Sequence, residues 1–435
     1  MGETIRVGLL GCGTVGTGLL RILAENREDI VARLGADIAV TRILVRDPDR
    51  VRDPAVPREL LTTSADDVFA SDAEIIVEVL GGYEPARTLV LRALASGRHV
   101  VTANKALLAR HGAELFRAAD EASCDVSFEA SVGGGIPIIR TLREGLAGDR
   151  VEAVRAIING TSNFMLTAMA QKGAAYGDIL AEAQARGYAE ANPAMDVGGF
   201  DAAQKLSILI SIGFGVDVAF DRIRTEGIEG LTPTDFAFAR QFGYAVKPLA
   251  IAKQHEDGIE ARVAPSLIPL DSMLAHVNGV FNAVQVNSRA LGPILFYGKG
   301  AGMMPTAAAV VSDVVELARN IGAGTSGRLP HLAFYKGMLQ RPGLRDADQT
   351  QCPFYLRFTV RDVPGVIAQI STILGAHGIS IRRMVQDQSE TEGPVPVVIL
   401  THIAHEGSVM RALQGIDALP FVTEKTCFLR VEDTR

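Results

Sequence analysis

One short segment restricts this chain more than any other. Gly11-Cys12-Gly13-Thr14-Val15-Gly16 places a GxGxxG directly after the apolar run Ile5–Leu10 and directly before the amphipathic stretch Thr17–Leu34. In a strand–turn–helix, the first glycine permits the tight turn. The second lets backbone approach a pyrophosphate, and the third lets helix and strand pack closely. The helix N-terminus then offers unpaired N–H groups to phosphate. Gly11, Gly13, Thr14, Val15 and Gly16 are therefore candidate dinucleotide-binding residues. The alternative is a merely tight βα turn.

The rhythm that follows favours a nucleotide-binding α/β domain. Ile38–Arg46, Glu74–Leu80, His99–Thr102 and Asp125–Glu129 read as short strands, with helices at Pro85–Ser96 and Ala106–Ala122. Such βαβαβ alternation predicts a parallel, Rossmann-type sheet over residues 1–150. The chain has 435 residues, room for about three domains of roughly 150 each. From Val151 the pattern turns to α+β. Strands are expected at Val154–Ile158, Ala245–Ala252, Ala261–Ile268 and Gly279–Val286, with helices at Asn163–Gln171, Tyr176–Ala185 and Phe200–Phe214. This second domain is expected over 151–299. A helix at Ala307–Ile321 follows a glycine-rich loop, so residues 300–333 are expected to return to the first domain. Phe334–Gln351 reads as a linker. Residues 352–435 then run strand (Phe354–Val360), helix (Val366–His377), strands (Ser380–Gln386, Val395–His402), helix (Ser408–Gln414) and strand (Val422–Val431). That βαββαβ order is ferredoxin-like.

Charge and cysteine usage exclude several classes. A net charge of −7 with no basic domain argues against a nucleic-acid partner. The 4 cysteines form no CxxC and no His-Cys cluster, so a disulfide framework or zinc site is not expected and a reducing cytoplasm fits. The N-terminus lacks the apolar core of a signal peptide, and no apolar run reaches membrane-spanning length, so no membrane association is expected.

Two further positions bear on the cofactor side. The second strand ends in Val45-Arg46-Asp47. A carboxylate there would suit the ribose hydroxyls of NAD, whereas Arg46, with Arg50 and Arg52 close behind, suits the 2′-phosphate of NADP. The reading leans to NADP, with a solvated turn as the alternative. Lys105 follows the strand His99–Thr102, where strand C-termini line a binding crevice. It could reach a substrate oxygen or simply open a surface helix.

The stretch from Gly187 to Lys205 carries the most chemistry. Gly187 stops a helix and Asn192-Pro193 turns the chain. Asp201 and Lys205 then lie four apart on one helix face. Hydride transfer to a carbonyl needs a proton donor to the developing alkoxide. A lysine in a cleft can serve, its pKa lowered by burial and raised by a neighbouring carboxylate. Glu190 could hold a substrate ammonium. An ordinary i,i+4 surface ion pair accounts for the spacing equally well.

The same stretch resembles the signature of homoserine dehydrogenases: a glycine-aromatic pair, an acid, a polar-proline pair, then Asp-aliphatic-x-Gly-x-Asp-x-x-x-Lys, ending at Asp196, Gly199, Asp201 and Lys205. Other segments match in order. They are the GxGxxG, Glu78–Gly82, Thr102–Ala106, Glu129–Pro137, Ile158–Asn163 and Gly298–Gly302. The resemblance covers about residues 1–335; Gly198 departs from it, since many relatives carry an acid there. It implies interconversion of L-homoserine and L-aspartate 4-semialdehyde with NADP or NAD, a step toward threonine, methionine and isoleucine. By the same resemblance Lys205 is the proton donor, with Lys105 and Asp201 assisting at the reacting oxygen. Glu190 and Asp196 bind substrate, Gly160 and Thr161 receive its carboxylate, and Gly302 and Lys105 join the cofactor contacts. A monovalent cation (Na⁺ or K⁺) near Glu129, Val132, Gly134 and Ile136 is also implied, as is a homodimer or homotetramer.

The C-terminal unit resembles an ACT domain. Arg361–Ile370 joins its first strand to its first helix through a Pro-Gly turn, and His377-Gly378-Ile379-Ser380-Ile381 follows. The resemblance implies amino-acid binding near Asp362, Gly365, Val366 and Ile379, with threonine as feedback effector; a role in dimerisation alone is the alternative. Two other functions stay open. One is another NAD(P)-dependent amino-acid semialdehyde reductase, or a dehydrogenase forming an acyl group, which would need a nucleophilic cysteine. The other is a non-catalytic amino-acid sensor.

Overall fold

A computed structural model describes residues 4–335, 337–338, 342–386 and 393–433. Met1–Glu3 and parts of the expected linker (336 and 339–341) lie outside the described residues. The chain divides into two compact units. The first comprises Met1–Glu152, Gln204–Arg222 and Asn282–Arg341; the second comprises Ala153–Ala203, Ile223–Phe281 and Pro342–Arg435.

The first unit is built on a parallel sheet. Its strands are β1 (Thr4–Leu10), β2 (Asp37–Leu44), β3 (Leu61–Thr62), β4 (Ile75–Glu78), β5 (His99–Thr102) and β6 (Val126–Ser127), in the spatial order β3-β2-β1-β4-β5-β6. Strand order reverses between β1 and β4, and the crevice of a doubly wound sheet opens at such a reversal. β1 and β4 are short and almost wholly buried, as strands covered on both faces must be. The helix Met303–Ala323 packs against Thr14–Glu25, where Gly18 leaves no room for a side chain: a Cβ would meet Ala307 at 2.8 Å and Met303 at 2.9 Å. Val310, Val314 and Leu317 of the same helix complete the core with Val7, Leu9 and Leu19.

Two sequence expectations change here. The single helix expected over Thr17–Leu34 is two, Thr14–Glu25 and Arg27–Leu34, parted at Asn26. Asparagine competes with the helical backbone and favours such caps. The strand expected over Asp125–Glu129 is only Val126–Ser127, and Glu129 opens a 3₁₀ turn, Glu129–Ser131. The Glu129 carboxylate explains the departure, since it accepts from the Ile139 and Arg140 N–H groups at 2.8 Å each.

In the second unit, β7 (Val151–Ile157) is followed by the short β8 (Arg224–Thr225) and a long hairpin of β9 (Tyr244–His255) and β10 (Gly258–Pro269). A second hairpin, β11 (Phe281–Ser288) and β12 (Gly292–Lys299), falls in the first unit from Asn282 onward; β12 escaped the sequence reading. The C-terminal segment adds β13 (Gln351–Cys352), β14 (Phe354–Val360), β15 (Ile381–Gln386), β16 (Val395–Thr401), β17 (Ala404–His405) and β18 (Cys427–Val431), with helices Val366–Ala376 and Glu406–Asp417. The order β18-β14-β16-β15 is the ferredoxin-like arrangement expected. Its sheet is not separate: β18 also pairs in parallel with β10, at Ser266↔Arg430 and Leu267↔Val431. The last strand is shorter than expected, and Val422 makes only an isolated bridge to Val360.

Candidate active site

The glycine-rich loop has the geometry that pyrophosphate binding requires. Gly11 adopts φ +102°, and a Cβ there would lie 2.9 Å from the Val79 carbonyl oxygen. A Cβ on Gly16 would lie 2.5 Å from the Gly11 carbonyl oxygen, whereas the space over Gly13 is open. No side chain caps the N-terminus of Thr14–Glu25. The end of that helix can therefore receive a phosphate.

Arg52 ties the end of β2 to this loop, donating Nη1 to the Cys12 carbonyl at 2.9 Å and Nη2 to the Asp47 carbonyl at 2.7 Å. The Asp47 carboxylate accepts from the Asp49 N–H at 2.9 Å and the Arg50 N–H at 3.3 Å, so it shapes its own turn. Arg46 is exposed beside it.

Lys105 opens the helix Lys105–Ala122, and a buried carboxylate organises its approach. Glu78, at the end of β4, accepts from the Thr102 hydroxyl at 2.6 Å, the Leu80 N–H at 2.8 Å, the Gly81 N–H at 3.3 Å and the Asn104 amide at 3.4 Å. Asn104 also donates to the Gly82 carbonyl at 2.7 Å and caps the helix through the Leu107 N–H at 3.1 Å. The segment presenting Lys105 is thereby held to the Leu80–Gly82 loop.

Of the residues expected on the substrate side, Gly160, Thr161, Glu190, Asp196 and Asp201 stand in the second unit and Lys205 in the first. Asn159, just past β7, caps the helix Gly160–Lys172 by accepting from the Ser162 N–H at 2.8 Å. Its side-chain amide donates to Asp196 Oδ1 at 2.7 Å and to Asp201 Oδ2 at 2.9 Å. Ser162 donates to the Asp196 carbonyl at 2.9 Å, and Thr161 to the Tyr188 carbonyl at 2.7 Å. Asp201 is buried at the start of the helix Phe200–Phe214, and Lys205, one turn on, is half-buried. Glu190 is exposed. Gly160 is required by packing, since a Cβ would meet the Val280 carbonyl at 2.9 Å. Asn163 and Lys247 fix that backing loop. Asn163 donates to the Val277, Gly279 and Phe281 carbonyls at 3.0–3.1 Å. Lys247 donates to the Val277 carbonyl at 2.6 Å and to Asn278 at 2.9 Å. Burial pushes its ammonium down to about 8. Sequence reasoning gave no role to Glu78, Asn159 or Asn163. All three lie in segments that carry the resemblance, and that was the one available signal.

Around Glu129 the backbone turns through two successive left-handed glycines, Gly133 (φ +74°) and Gly134 (φ +56°). Val132 and Ile136 are buried, and a Cβ on Gly134 would lie 2.6 Å from the Gly300 carbonyl oxygen. This interlocks the loop with Gly298–Gly302, whose last residue caps Met303–Ala323. Among the described residues no group of three His, Cys, Asp or Glu side chains could hold a metal ion. In the C-terminal unit, Gly365 (φ +92°) starts the helix Val366–Ala376 beside exposed Asp362. Val366 and Ile379 point into the core, so only their backbone can face a ligand.

Burial raises the thiols of Cys12 and Cys124, and pushes those of Cys352 and Cys427 up to about 12. None is an activated nucleophile, which removes the basis for acyl-forming aldehyde oxidation.

A doubly wound sheet with an open helix N-terminus after its glycine loop, in a chain that also carries a buried carboxylate–amide cluster one helical turn before a lysine, defines an NAD(P)-dependent dehydrogenase. Family models match three segments of the chain. "Homoserine dehydrogenase, NAD binding domain" matches 11–129, "Homoserine dehydrogenase" matches 137–315, and "ACT domain" matches 354–418. The chain is 45% identical to the homoserine dehydrogenase of Pseudomonas aeruginosa, over 99% of both chains. A crystal structure of a homoserine dehydrogenase from Thiobacillus denitrificans superposes with a TM-score of 0.93 at 47% identity, over 99% of both chains. A hyperthermophilic archaeal homoserine dehydrogenase in complex with NADPH has a TM-score of 0.62 at 27% identity, over 72% of this chain and 98% of that one. The chain belongs to the homoserine dehydrogenase family.

Proposed function

We propose that the Asp201–Lys205 turn is the proton-transfer site for interconverting L-homoserine and L-aspartate 4-semialdehyde. The observation carrying this reading is the Asn159 amide, which holds Asp196 and Asp201 together one helical turn before Lys205. A surface ion pair would need no such buried support.

A nicotinamide dinucleotide held by the glycine loop would supply or accept the hydride. In reduction, Lys205 donates a proton to the oxygen as it becomes an alkoxide; in oxidation, it takes the hydroxyl proton. Asp201 holds charge beside it, and Lys105 assists at the same oxygen. Gly160 and Thr161, at a helix N-terminus, receive the substrate carboxylate, and Glu190 and Asp196 attract its ammonium. The phosphate loop Gly11–Gly16 and Gly302 would cradle the dinucleotide. Arg46, exposed while Asp47 is spent on its own turn, favours NADP.

The cation reading rests on the buried Glu129 carboxylate beside the Gly133–Gly134 turn. A monovalent cation held by carbonyls of Val132, Gly134 and Ile136 would offset that charge. The C-terminal unit would bind threonine near Asp362 and Gly365 and report it to the site in a cytoplasmic homodimer or homotetramer. No helix among the described residues is long and apolar enough to cross a membrane. The test is oxidation of homoserine followed at the reduced-nicotinamide absorbance, with NADP⁺ and NAD⁺ in parallel, with and without threonine. Homoserine-dependent reduction of NADP⁺ in preference to NAD⁺, slowed by threonine, is expected. No homoserine-dependent reduction of either would overturn the reading.

A further inference from the structure

Arg430 is fully buried on β18, between β10 and β14. Its guanidinium makes a fork on Glu226, Nη1 to Oε2 at 2.7 Å and Nη2 to Oε1 at 2.8 Å. Its Nε donates to Glu406 Oε2 at 2.7 Å. Arg224 joins both carboxylates, at 3.0 Å from Glu226 and 2.7 Å from Glu406. A bidentate pair of this kind fixes direction as well as distance.

The chain neighbours of Glu226 lie against the turn that precedes Asp201. Thr225, on β8, pairs with Val263 of β10, and the Glu226 N–H donates to the Val263 carbonyl at 2.8 Å. The Ile228 N–H donates to the Val197 carbonyl at 3.0 Å. A Cβ on Gly227 would stand 3.0 Å from that same oxygen and 3.4 Å from the Gly198 Cα. From the other side Gly199 (φ +84°) would push a Cβ to 2.9 Å from Thr225 Cγ2 and 3.0 Å from Val263 Cγ1. Thr225–Ile228 is therefore the floor beneath Val197–Gly199, the turn that sets Asp196 relative to Asp201.

We propose that Arg430 and Glu226 are positioning residues of the dehydrogenase site. The fork fixes Glu226, and the backbone around Glu226 fixes the Val197–Gly199 turn. This rests on the assignment of Asp196, Asp201 and Lys205 to the reaction site. It makes the last strand of the ACT unit part of the machinery that aligns substrate, so a displacement of β18 moves the turn.

Glu432, two residues on, supplies the control. It is as buried as Arg430 and likewise ion-paired, but its partners Arg155, Lys253 and Arg262 stand on β7, β9 and β10. Glu226→Gln removes a half-buried carboxylate charge and Glu432→Gln a fully buried one, each from a cluster of cations, so both lower the melting temperature. At matched folded fraction, Glu226→Gln is expected to change homoserine KM or kcat by about tenfold or more. Its dinucleotide Kd, read by fluorescence titration, stays within about twofold. Glu432→Gln keeps wild-type homoserine kinetics. If Glu226→Gln does not fold, Arg430→Lys carries the same expectation, since lysine keeps the charge and loses the fork. Homoserine kinetics indistinguishable between the two carboxylate variants would overturn the proposal. Lys205→Ala assayed alongside separates the failures. Full activity there removes the site assignment and the proposal with it. An inactive Lys205→Ala beside an unaffected Glu226→Gln removes the positioning role alone.

Discussion

The side-chain amide of Asn159 donates to Asp201 Oδ2 at 2.9 Å. The oxygen of the same amide caps the helix whose N-terminus carries Gly160 and Thr161. One residue thus orients the carboxylate proposed for catalysis and the helix end proposed for substrate. Asn159→Ala is expected to lower kcat/KM for homoserine about 10- to 100-fold, the range for leaving buried polar partners unmatched. Asn159→Asp should be worse, because a third carboxylate would face Asp196 and Asp201. Dinucleotide affinity should hold in both. Steady-state kinetics with a cofactor titration checks all three statements.

Glu78 carries a similar burden in the other unit. Glu78→Ala strands the Thr102 hydroxyl, two backbone N–H groups and part of the Asn104 amide. A cost of about 1–3 kcal/mol is expected, visible as a lower urea midpoint. The rate should fall as well, since Lys105 follows directly on Asn104. Glu78→Gln keeps an acceptor oxygen and should sit between the alanine variant and wild type. Equal midpoints for all three would contradict this account of the loop.

Arg46 and Arg52 should behave differently toward the two dinucleotides. Arg46→Ala is expected to raise KM for NADP⁺ and leave that for NAD⁺ nearly unchanged, because only a 2′-phosphate needs the cation. Arg52→Ala should weaken both together, because Arg52 bonds the Cys12 carbonyl inside the phosphate loop. The ratio of the two KM values in each variant is the measurement.

Much of this was readable from sequence, for reasons that differ by residue. Gly11 and Gly16 announce themselves because only glycine tolerates their close approaches, and β1 and β4 because strands buried on both faces are largely apolar. Asp201 and Lys205 were ambiguous, since i,i+4 spacing is the same in a trivial ion pair and in a reaction site. Burial and the Asn159 contacts support the proposed reaction site, and both are tertiary. Glu129 was misplaced on a strand because its local sequence is strand-like; its carboxylate's bonds to Ile139 and Arg140 override that preference. The Arg430–Glu226 fork joins residues 204 apart in sequence, and no periodicity or spacing signals such a pair.

The acid limit of stability should trace partly to Glu432. Burial works against its charge, yet Lys253, Arg262 and Arg155 hold the carboxyl down at about 2. A folded-state value below the unfolded one gives stability that is present above roughly pH 4.5 and lost as pH falls toward about 2. Wild type should therefore exceed Glu432→Gln in urea midpoint at pH 7, with the gap narrowing between pH 4.5 and 3. A gap that is constant or widens with acid would contradict the assignment of charge to Glu432.

The central claim is that Lys205 moves the proton, and kcat of Lys205→Ala with homoserine and NADP⁺ tests it most directly. A drop of about 10²- to 10⁴-fold is expected, the contribution typical of a positioned general acid or base. Dinucleotide Kd and melting temperature should stay near wild type. A variant that keeps wild-type kcat would contradict the mechanism.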